Sequence, residues 1–158
     1  MPTDLDLNNQ IFFNHTNAQA KGILYLLETG LRHPGKDSLS VNPLSSYELE
    51  HIMPKDWQAY WPLETNTRDN RENRMYHIGL LGNKTLLAKG LNKSLKNKGF
   101  DKKKMGDSNT NGGYNYYAMG LKTFDISLYD EWNESVIEER LRTILEQIKY
   151  VWPYEKAK

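Results

Sequence analysis

The stretch Tyr47-Glu48-Leu49-Glu50-His51-Ile52-Met53-Pro54 places a carboxylate and an imidazole side by side near the end of a short run. Residue types alternate with a period of two over residues 47–52, and this alternation is typical of a β-strand. Pro54 cannot donate a hydrogen bond to a sheet, so it favours an end to the strand. We therefore expect Glu50 and His51 to lie at the end of the first strand of a hairpin.

The next elements of the chain can complete a small structural unit around that strand. The apolar run from Ile78 to Leu87 is predicted to supply the second strand of the hairpin. Further on, Leu91 and Leu95 are four residues apart, as on one face of a helix, and Gly99 is a predicted stop. On that helix Asn92 is displaced by about 100° from Leu91. The predicted order is strand, strand, helix.

Two longer helices are predicted on either side of this unit. The first begins at Asn17, a candidate N-cap, and ends near Gly30. The last has a candidate capping box in Ser135 and Glu138 and helical spacing of apolar residues up to Trp152. The predicted fold class is α+β, with residues 1–16 forming an N-terminal arm and residues 17–158 one domain.

Composition excludes several kinds of site and several locations. The chain of 158 residues has no cysteine, which excludes disulfides, zinc-thiolate sites and thiol nucleophiles. A metal site built from His, Asp, Glu and Asn suits Mg²⁺ or Mn²⁺. No apolar run approaches the roughly 18 residues that cross a bilayer, and the polar start is unlike a signal peptide. We expect a soluble, cytoplasmic protein with no membrane partner.

The charge of the chain is unevenly distributed although its net value is only +1. Residues 84–104 contain eight lysines against one acid, Asp101, a local balance of +7. Such a run is most often a solvated face. Its overlap with the predicted Asn92 helix favours contacts with DNA phosphates, and the candidates are Lys84, Lys89, Lys93, Lys96, Lys98, Lys102 and Lys103.

These residue types suit the hydrolysis of a phosphodiester bond. That reaction needs an activated water and a positive centre that stabilises charge on the phosphate and the leaving oxygen. A histidine such as His51 titrates near neutrality and can take a proton from water. An asparagine such as Asn92 gives a metal ion an oxygen ligand without adding negative charge.

The ordered motifs resemble a known nuclease family. Glu50-His51-Ile52-Met53-Pro54, followed by Leu81-Gly82-Asn83 and by Asn92, is similar to the HNH or ββα-metal nuclease motif. More narrowly, the order resembles the C-terminal nuclease domain of GmrSD-type and SspE-like modification-dependent restriction enzymes over about residues 20–152. The resemblance implies a ββα-metal hairpin and helix embedded in a mostly helical domain.

The resemblance also implies roles for single residues. His51 would be the general base, Glu50 and Asn92 would bind Mg²⁺ or Mn²⁺, and Asn83 would brace the loop that orients the histidine. Many HNH proteins have Asp where this chain has Glu50. Family members usually carry an N-terminal nucleotide-hydrolysing or modification-sensing domain. We find none in this sequence, so we expect a fragment or subunit of a larger restriction system.

Plainer explanations compete with these roles. A lone strand histidine is more often structural, Glu50 can be a salt-bridged carboxylate, and asparagine is common at turn positions such as 83. His77 is expected to pack against an aromatic side chain rather than to bind metal. We expect Trp57, Tyr60 and Trp61 in the core, and leave Tyr114, Tyr116 and Tyr117 open between core and base stacking.

The function that the sequence favours is a divalent-metal-dependent endonuclease that nicks or cuts duplex DNA in phage defence. The alternative in another class is a non-catalytic nucleic-acid-binding module with a degenerate site. A nuclease directed at RNA is a third possibility.

Overall fold

The computed structural model describes residues 15–32, 41–89, 95, 97–107 and 110–153. Within these ranges lie five α-helices and two sheets of two strands each. In chain order the helices and strands are α1 (Asn17–Gly30), β1 (Tyr47–His51), α2 (Arg68–Gly79), β2 (Lys84–Ala88), α3 (Phe100–Met105), β3 (Gly106–Asp107), β4 (Thr110–Asn111), α4 (Gly113–Tyr117) and α5 (Glu134–Val151). This mixed content confirms the predicted α+β class.

The predicted hairpin is present as an antiparallel pair of β1 and β2. Its register aligns His51 with Lys84 and Glu50 with Thr85. The second strand is shorter than its apolar run suggested. Residues 81–83 form a turn of 3-10 helix, Leu81–Asn83, directly before β2. The last residues of the connection between the strands therefore form a compact turn beside the end of β1.

The helix that would complete the ββα unit lies mostly outside the described residues. Between β2 and α3, only Lys89, Leu95 and residues 97–99 are described, and Leu95 is helical and fully buried. Asn92, Lys93 and Lys96 fall in the remainder. The ββα-metal core and the role of Asn92 accordingly stay predictions. The arm is also largely outside the described ranges, which begin at His15.

The ends of the two long helices differ by one or two residues from the sequence expectation. The N-cap of α1 is Thr16, not Asn17, because its hydroxyl accepts from the amide of Gln19 while the Gln19 side chain accepts from the Thr16 amide. The N-cap of α5 is Asn133, whose Oδ1 accepts from the amide of Val136. Neither shift changes the faces that the helices bury.

Helix α5 fixes the 3-10 turn in front of β2. A Cβ added to Gly82 would lie 2.2 Å from the carbonyl oxygen of Ile137, so only glycine permits this approach. The buried Arg140 of α5 donates to the carbonyl oxygens of Gly82 and Lys84 at 2.6 and 2.8 Å. Its guanidinium thus holds both ends of the segment that carries Asn83.

Aromatic side chains form much of the core, but not all of those expected there. Trp57 and Trp61 are buried, as predicted, whereas Tyr60 is 61% exposed, so its assignment to the core is wrong. Tyr114 is fully buried and Tyr116 is 63% exposed, which settles the first as a core residue. Among the described residues, no helix has the length and apolar character needed to span a membrane.

Candidate active site

His51 ends β1 with a partly buried imidazole. Burial is the main reason why the pKa of His51 falls from 6.5 to about 4. Nearby positive charges lower it further, in the order Lys84, Lys55, Lys103 and His15. An imidazole in this environment is neutral at neutral pH, and only the neutral form can accept a proton from water.

The four positive residues around His51 come from four separate parts of the chain. Lys84 is its cross-strand partner, and directly opposed residues project from the same face of a hairpin. The ammonium group of Lys84 is 2.8 Å from Nε2 of His15. Burial and the charge of Lys55 lower the pKa of Lys84 to about 8. This cluster of like charges favours an anionic ligand beside His51.

The low pKa of His51 predicts that folding stability decreases in mild acid. The unfolded chain binds a proton at His51 below about pH 6.5, whereas the folded chain does so only near pH 4. The stabilisation is complete above pH 6.5 and is lost as the pH falls toward 4. Between pH 8 and 5 we expect His51 to account for a loss of about 1 to 2 kcal/mol in unfolding free energy.

Urea unfolding at both pH values, for wild type and His51→Gln, measures this contribution. The glutamine variant cannot titrate and should lose less stability over the same interval. Equal losses in the two proteins would show that His51 is not the group responsible.

Asn83 is fully buried and makes hydrogen bonds through both ends of its amide. Oδ1 accepts from the amide of Met53 at 2.8 Å, and Nδ2 donates to the carbonyl of Met53 at 2.9 Å. The carbonyl of Asn83 also accepts from the amide of Ile52 at 2.9 Å. These bonds fix the turn that directly follows His51, which is the geometry that a bracing residue requires.

A tryptophan completes the environment of Asn83. The indole Nε1 of Trp132 donates to Oδ1 of Asn83 at 3.0 Å, and Nδ2 of Asn83 also donates to the carbonyl of Ile78 at 3.2 Å. All the hydrogen-bonding capacity of the amide is therefore used within the protein. An asparagine whose amide is fully engaged has little freedom to bind substrate or metal, and its contribution is to position the turn.

Glu50 lies in a separate buried cluster although it precedes His51 in the chain. Its Oε1 accepts from Nζ of Lys103 at 2.7 Å and from the hydroxyl of Tyr114 at 2.8 Å. Nζ of Lys103 also donates to the carbonyl of His51 at 3.0 Å. Burial, with the Glu50 charge as a smaller cause, raises the pKa of Tyr114, which keeps its hydroxyl a donor. In the part of the chain described, no hydrogen bond joins Glu50 to the His51 ring.

The position of Lys103 contradicts its predicted contact with DNA phosphate. Its side chain is fully buried and its ammonium group is bound to Glu50. Burial lowers the pKa of Lys103, and the neighbouring carboxylate opposes this effect. The packing of helix α3 turns this lysine inward. The positive charge of the segment gives no sign of which lysine is buried. Lys103 is an internal partner of the candidate metal ligand.

The other lysines of the segment divide between surface and interior. Lys89 and Lys102 are exposed and Lys98 is half-buried. Lys84 is only 3% exposed and its ammonium group lies against His15, so it is not available as a surface contact with DNA. Lys55, an exposed residue directly after Pro54, was not among the predicted DNA contacts. Its position directly after the Glu-His-Ile-Met-Pro motif is the sequence signal that could have identified it.

His77 is a structural residue, in line with the plainer expectation. Its Nε2 lies 3.0 Å from Oε1 of Glu138 and its Nδ1 lies 2.7 Å from the carbonyl of Asn73. The ring also meets Tyr76 edge-on. These contacts link α2 to α5 and leave neither ring nitrogen for a metal ion.

Comparisons with known proteins agree with the motif order. Residues 3–147 match the family model for the C-terminal domain of GmrSD restriction endonucleases. No curated protein and no solved structure matches the chain.

Proposed function

Because the chain belongs to the family of C-terminal domains of GmrSD restriction endonucleases, we propose that it hydrolyses DNA phosphodiester bonds at His51 with the aid of a divalent metal ion. The observation that carries the proposal is the position of His51 at the end of β1, with Lys84 as its cross-strand partner and Lys55 after the turn that follows it. Burial and these cations lower the pKa of the imidazole, which favours its neutral form. A neutral base beside a positive surface is suited to an anionic substrate that must be attacked by water.

In the proposed reaction His51 removes a proton from a water molecule as its oxygen bonds to the phosphorus. The bond from phosphorus to the leaving oxygen then breaks, and that oxygen takes a proton from solvent. Lys84 offsets the negative charge that develops on the phosphate. Asn83 and Trp132 hold the turn after His51, so the imidazole does not need to reorganise during the reaction.

The proposed metal ion would have to share Glu50 with the ammonium group of Lys103, which lies 2.7 Å from Oε1. Carboxylate oxygen is a preferred ligand of Mg²⁺ and Mn²⁺. Both hydrogen bonds to the Glu50 carboxylate use Oε1, so within the described structure Oε2 is the oxygen that could bind the ion. Asn92 would be the second ligand. In the described ranges no three His, Asp or Glu side chains form a metal-binding group, so water would complete the coordination. The bound ion would supply Lewis-acid stabilisation of the scissile phosphate.

DNA is proposed to lie along exposed lysines near the site. Lys55 is exposed and directly follows the turn after His51, and Lys89 and Lys102 are the exposed members of the basic segment. Lys93, Lys96 and the half-buried Lys98 extend this set on the basis of sequence. Contacts of this kind position the sugar-phosphate backbone without reading its sequence.

Lys55→Gln is expected to weaken DNA binding and to make the DNA affinity less dependent on salt concentration. Removal of one phosphate contact should reduce the slope of log affinity against log salt by about 1. Fluorescence anisotropy with a labelled duplex between 50 and 200 mM salt, roughly the range over which such contacts are screened, measures that slope.

Lys149→Gln is the matched control for the loss of one positive charge. Lys149 lies near the end of α5 and pairs with Glu146 at 3.3 Å. Its loss should leave the slope as in wild type. Equal slopes for Lys55→Gln and wild type would remove Lys55 from the interface.

We further propose that the domain is the effector of a phage-defence system that acts on incoming DNA in the cytoplasm. A nucleotide-hydrolysing, modification-sensing domain or subunit would direct it to its target. The competing function is a nucleic-acid-binding module without turnover.

Supercoiled plasmid incubated with Mg²⁺ or Mn²⁺ tests the two functions. Conversion to nicked or linear DNA supports the nuclease, whereas a mobility shift alone supports the binding module. An equal mass of RNA in a parallel reaction, if degraded faster than the duplex, would identify RNA as the substrate.

A further inference from the structure

Tyr60 is an exposed aromatic residue in a short segment whose other aromatic residues are buried. It is 61% exposed, whereas Trp57 is 3% and Trp61 is 7% exposed. The segment follows the turn that leads away from His51 at the end of β1. A single exposed tyrosine is common on a protein surface, so its role depends on how it is held and on what surrounds it.

The two buried tryptophans hold the turn that carries Tyr60. The amides of Tyr60 and Trp61 donate to the carbonyl of Trp57 at 3.2 and 2.9 Å. The indole Nε1 of Trp61 donates to the carbonyl of Lys98 at 3.0 Å, and the guanidinium of Arg74 lies 5.1 Å from the centre of the Trp57 ring. The backbone of Tyr60 is thus fixed before any ligand arrives, so a contact with its ring requires little further ordering of the chain.

The turn also places Tyr60 beside the basic segment. A Cβ added to Gly99, the N-cap of α3, would lie 3.6 Å from the carbonyl oxygen of Tyr60. Each of the two segments carries an exposed lysine, Lys55 in the first and Lys102 on α3. Exposed carboxylates in the same two segments offset part of this charge, namely Asp56 and Asp101. An aromatic ring beside moderate positive charge is typical of sites that bind single-stranded nucleic acid.

We propose that Tyr60 is a stacking platform for an unpaired base, through which the domain binds single-stranded DNA and unpaired positions in a duplex. This inference rests on the proposed action on DNA. Within a paired duplex both faces of a base are covered by its neighbours, so the ring of Tyr60 can stack only on a base that has left the helix. Because every base has a π-face, the contact tolerates any sequence.

Tyr60→Ala tests the proposal through DNA binding alone. Fluorescence anisotropy in EDTA, which prevents metal-dependent cleavage, gives the affinity of the whole chain for a labelled oligothymidine and for a labelled, fully paired duplex. Loss of one stacked base should lower the ratio of single-strand to duplex affinity about tenfold. A duplex with one bulged thymine should lose affinity as the single strand does. Tyr60→Phe keeps the ring and should retain the wild-type ratio.

Tyr150→Ala is the matched control for the loss of an exposed tyrosine. Tyr150 is 68% exposed near the end of α5, and its loss should leave both affinities as in wild type. Equal losses for the two DNAs in Tyr60→Ala, or no loss for either, overturn the stacking role and leave the proposed cleavage intact. A wild-type protein that binds neither DNA overturns this inference as well. If wild type binds both DNAs with the expected ratio change in Tyr60→Ala but leaves plasmid uncut with Mg²⁺ or Mn²⁺, the proposed cleavage fails and the stacking role stands.

Discussion

His51→Ala is expected to lower the rate of plasmid cleavage by about 10² to 10⁴-fold, the range that a positioned general base contributes. The imidazole is neutral at the pH of the assay because its pKa is lowered to about 4. Its cross-strand partner is the cation Lys84, which cannot replace it as a proton acceptor. The conversion of supercoiled to nicked plasmid, measured under single-turnover conditions with Mn²⁺, gives the rate.

DNA binding should survive this substitution. The lysines that offset phosphate charge remain, so anisotropy with a labelled duplex should give an affinity close to that of wild type. His77→Gln is the matched histidine control, because His77 contacts Glu138 and Asn73 and lies outside the site. Its cleavage rate should stay near wild type at temperatures where it is folded. If His51→Ala cleaves as fast as wild type, His51 is not the base.

The sequence predicts the hairpin well because the signals for it are local. Alternation over residues 47–52 and the proline after them define β1 without reference to the rest of the fold. The asparagine in Leu81-Gly82-Asn83 follows the end of α2, and its position directly before β2 places it beside the end of β1. A hairpin register brings these two ends together in any fold that forms it.

Partners from distant parts of the chain were not predictable in the same way. Lys103 and Tyr114 lie 53 and 64 positions from Glu50, and no sequence period relates them. Lys103 belongs to a run of three lysines, and the packing of α3 determines which of the three is buried. Trp132 carries no motif that marks it as a partner of Asn83. Such contacts depend on tertiary packing, which overrides local composition.

Asn83→Ala is expected to lower the unfolding free energy by about 3 to 5 kcal/mol, among the largest effects of any single substitution here. The change removes four hydrogen bonds at a fully buried position. It leaves the amide of Met53 and the indole nitrogen of Trp132 without an acceptor in the interior, and each unsatisfied buried donor costs about 1 to 3 kcal/mol. Urea unfolding followed by tryptophan fluorescence and by circular dichroism measures the loss.

Asn115→Ala provides the control for this loss. Asn115 lies on α4, and its exposed amide donates to the sulfur of Met105 at 3.3 Å, so its loss should change stability by no more than about 0.5 kcal/mol. An unfolding free energy for Asn83→Ala within about 1 kcal/mol of wild type would show that the amide network does not stabilise the turn.

The cleavage rate of folded Asn83→Ala protein shows whether Asn83 also orients His51, apart from its effect on folding stability. The assay is run at a temperature where the variant is still folded. The turn after His51 then lacks the hydrogen bonds between Asn83 and Met53 that hold it. Displacement of the catalytic base by about 1 Å can lower the reaction rate about 10²-fold. The variant should therefore cleave plasmid slowly while binding DNA as wild type does. The same hydrogen bonds would stabilise the fold and orient His51, but only the orientation of His51 affects the cleavage rate of folded protein. A folded variant with the wild-type rate would therefore mean that Asn83 stabilises the fold without orienting His51.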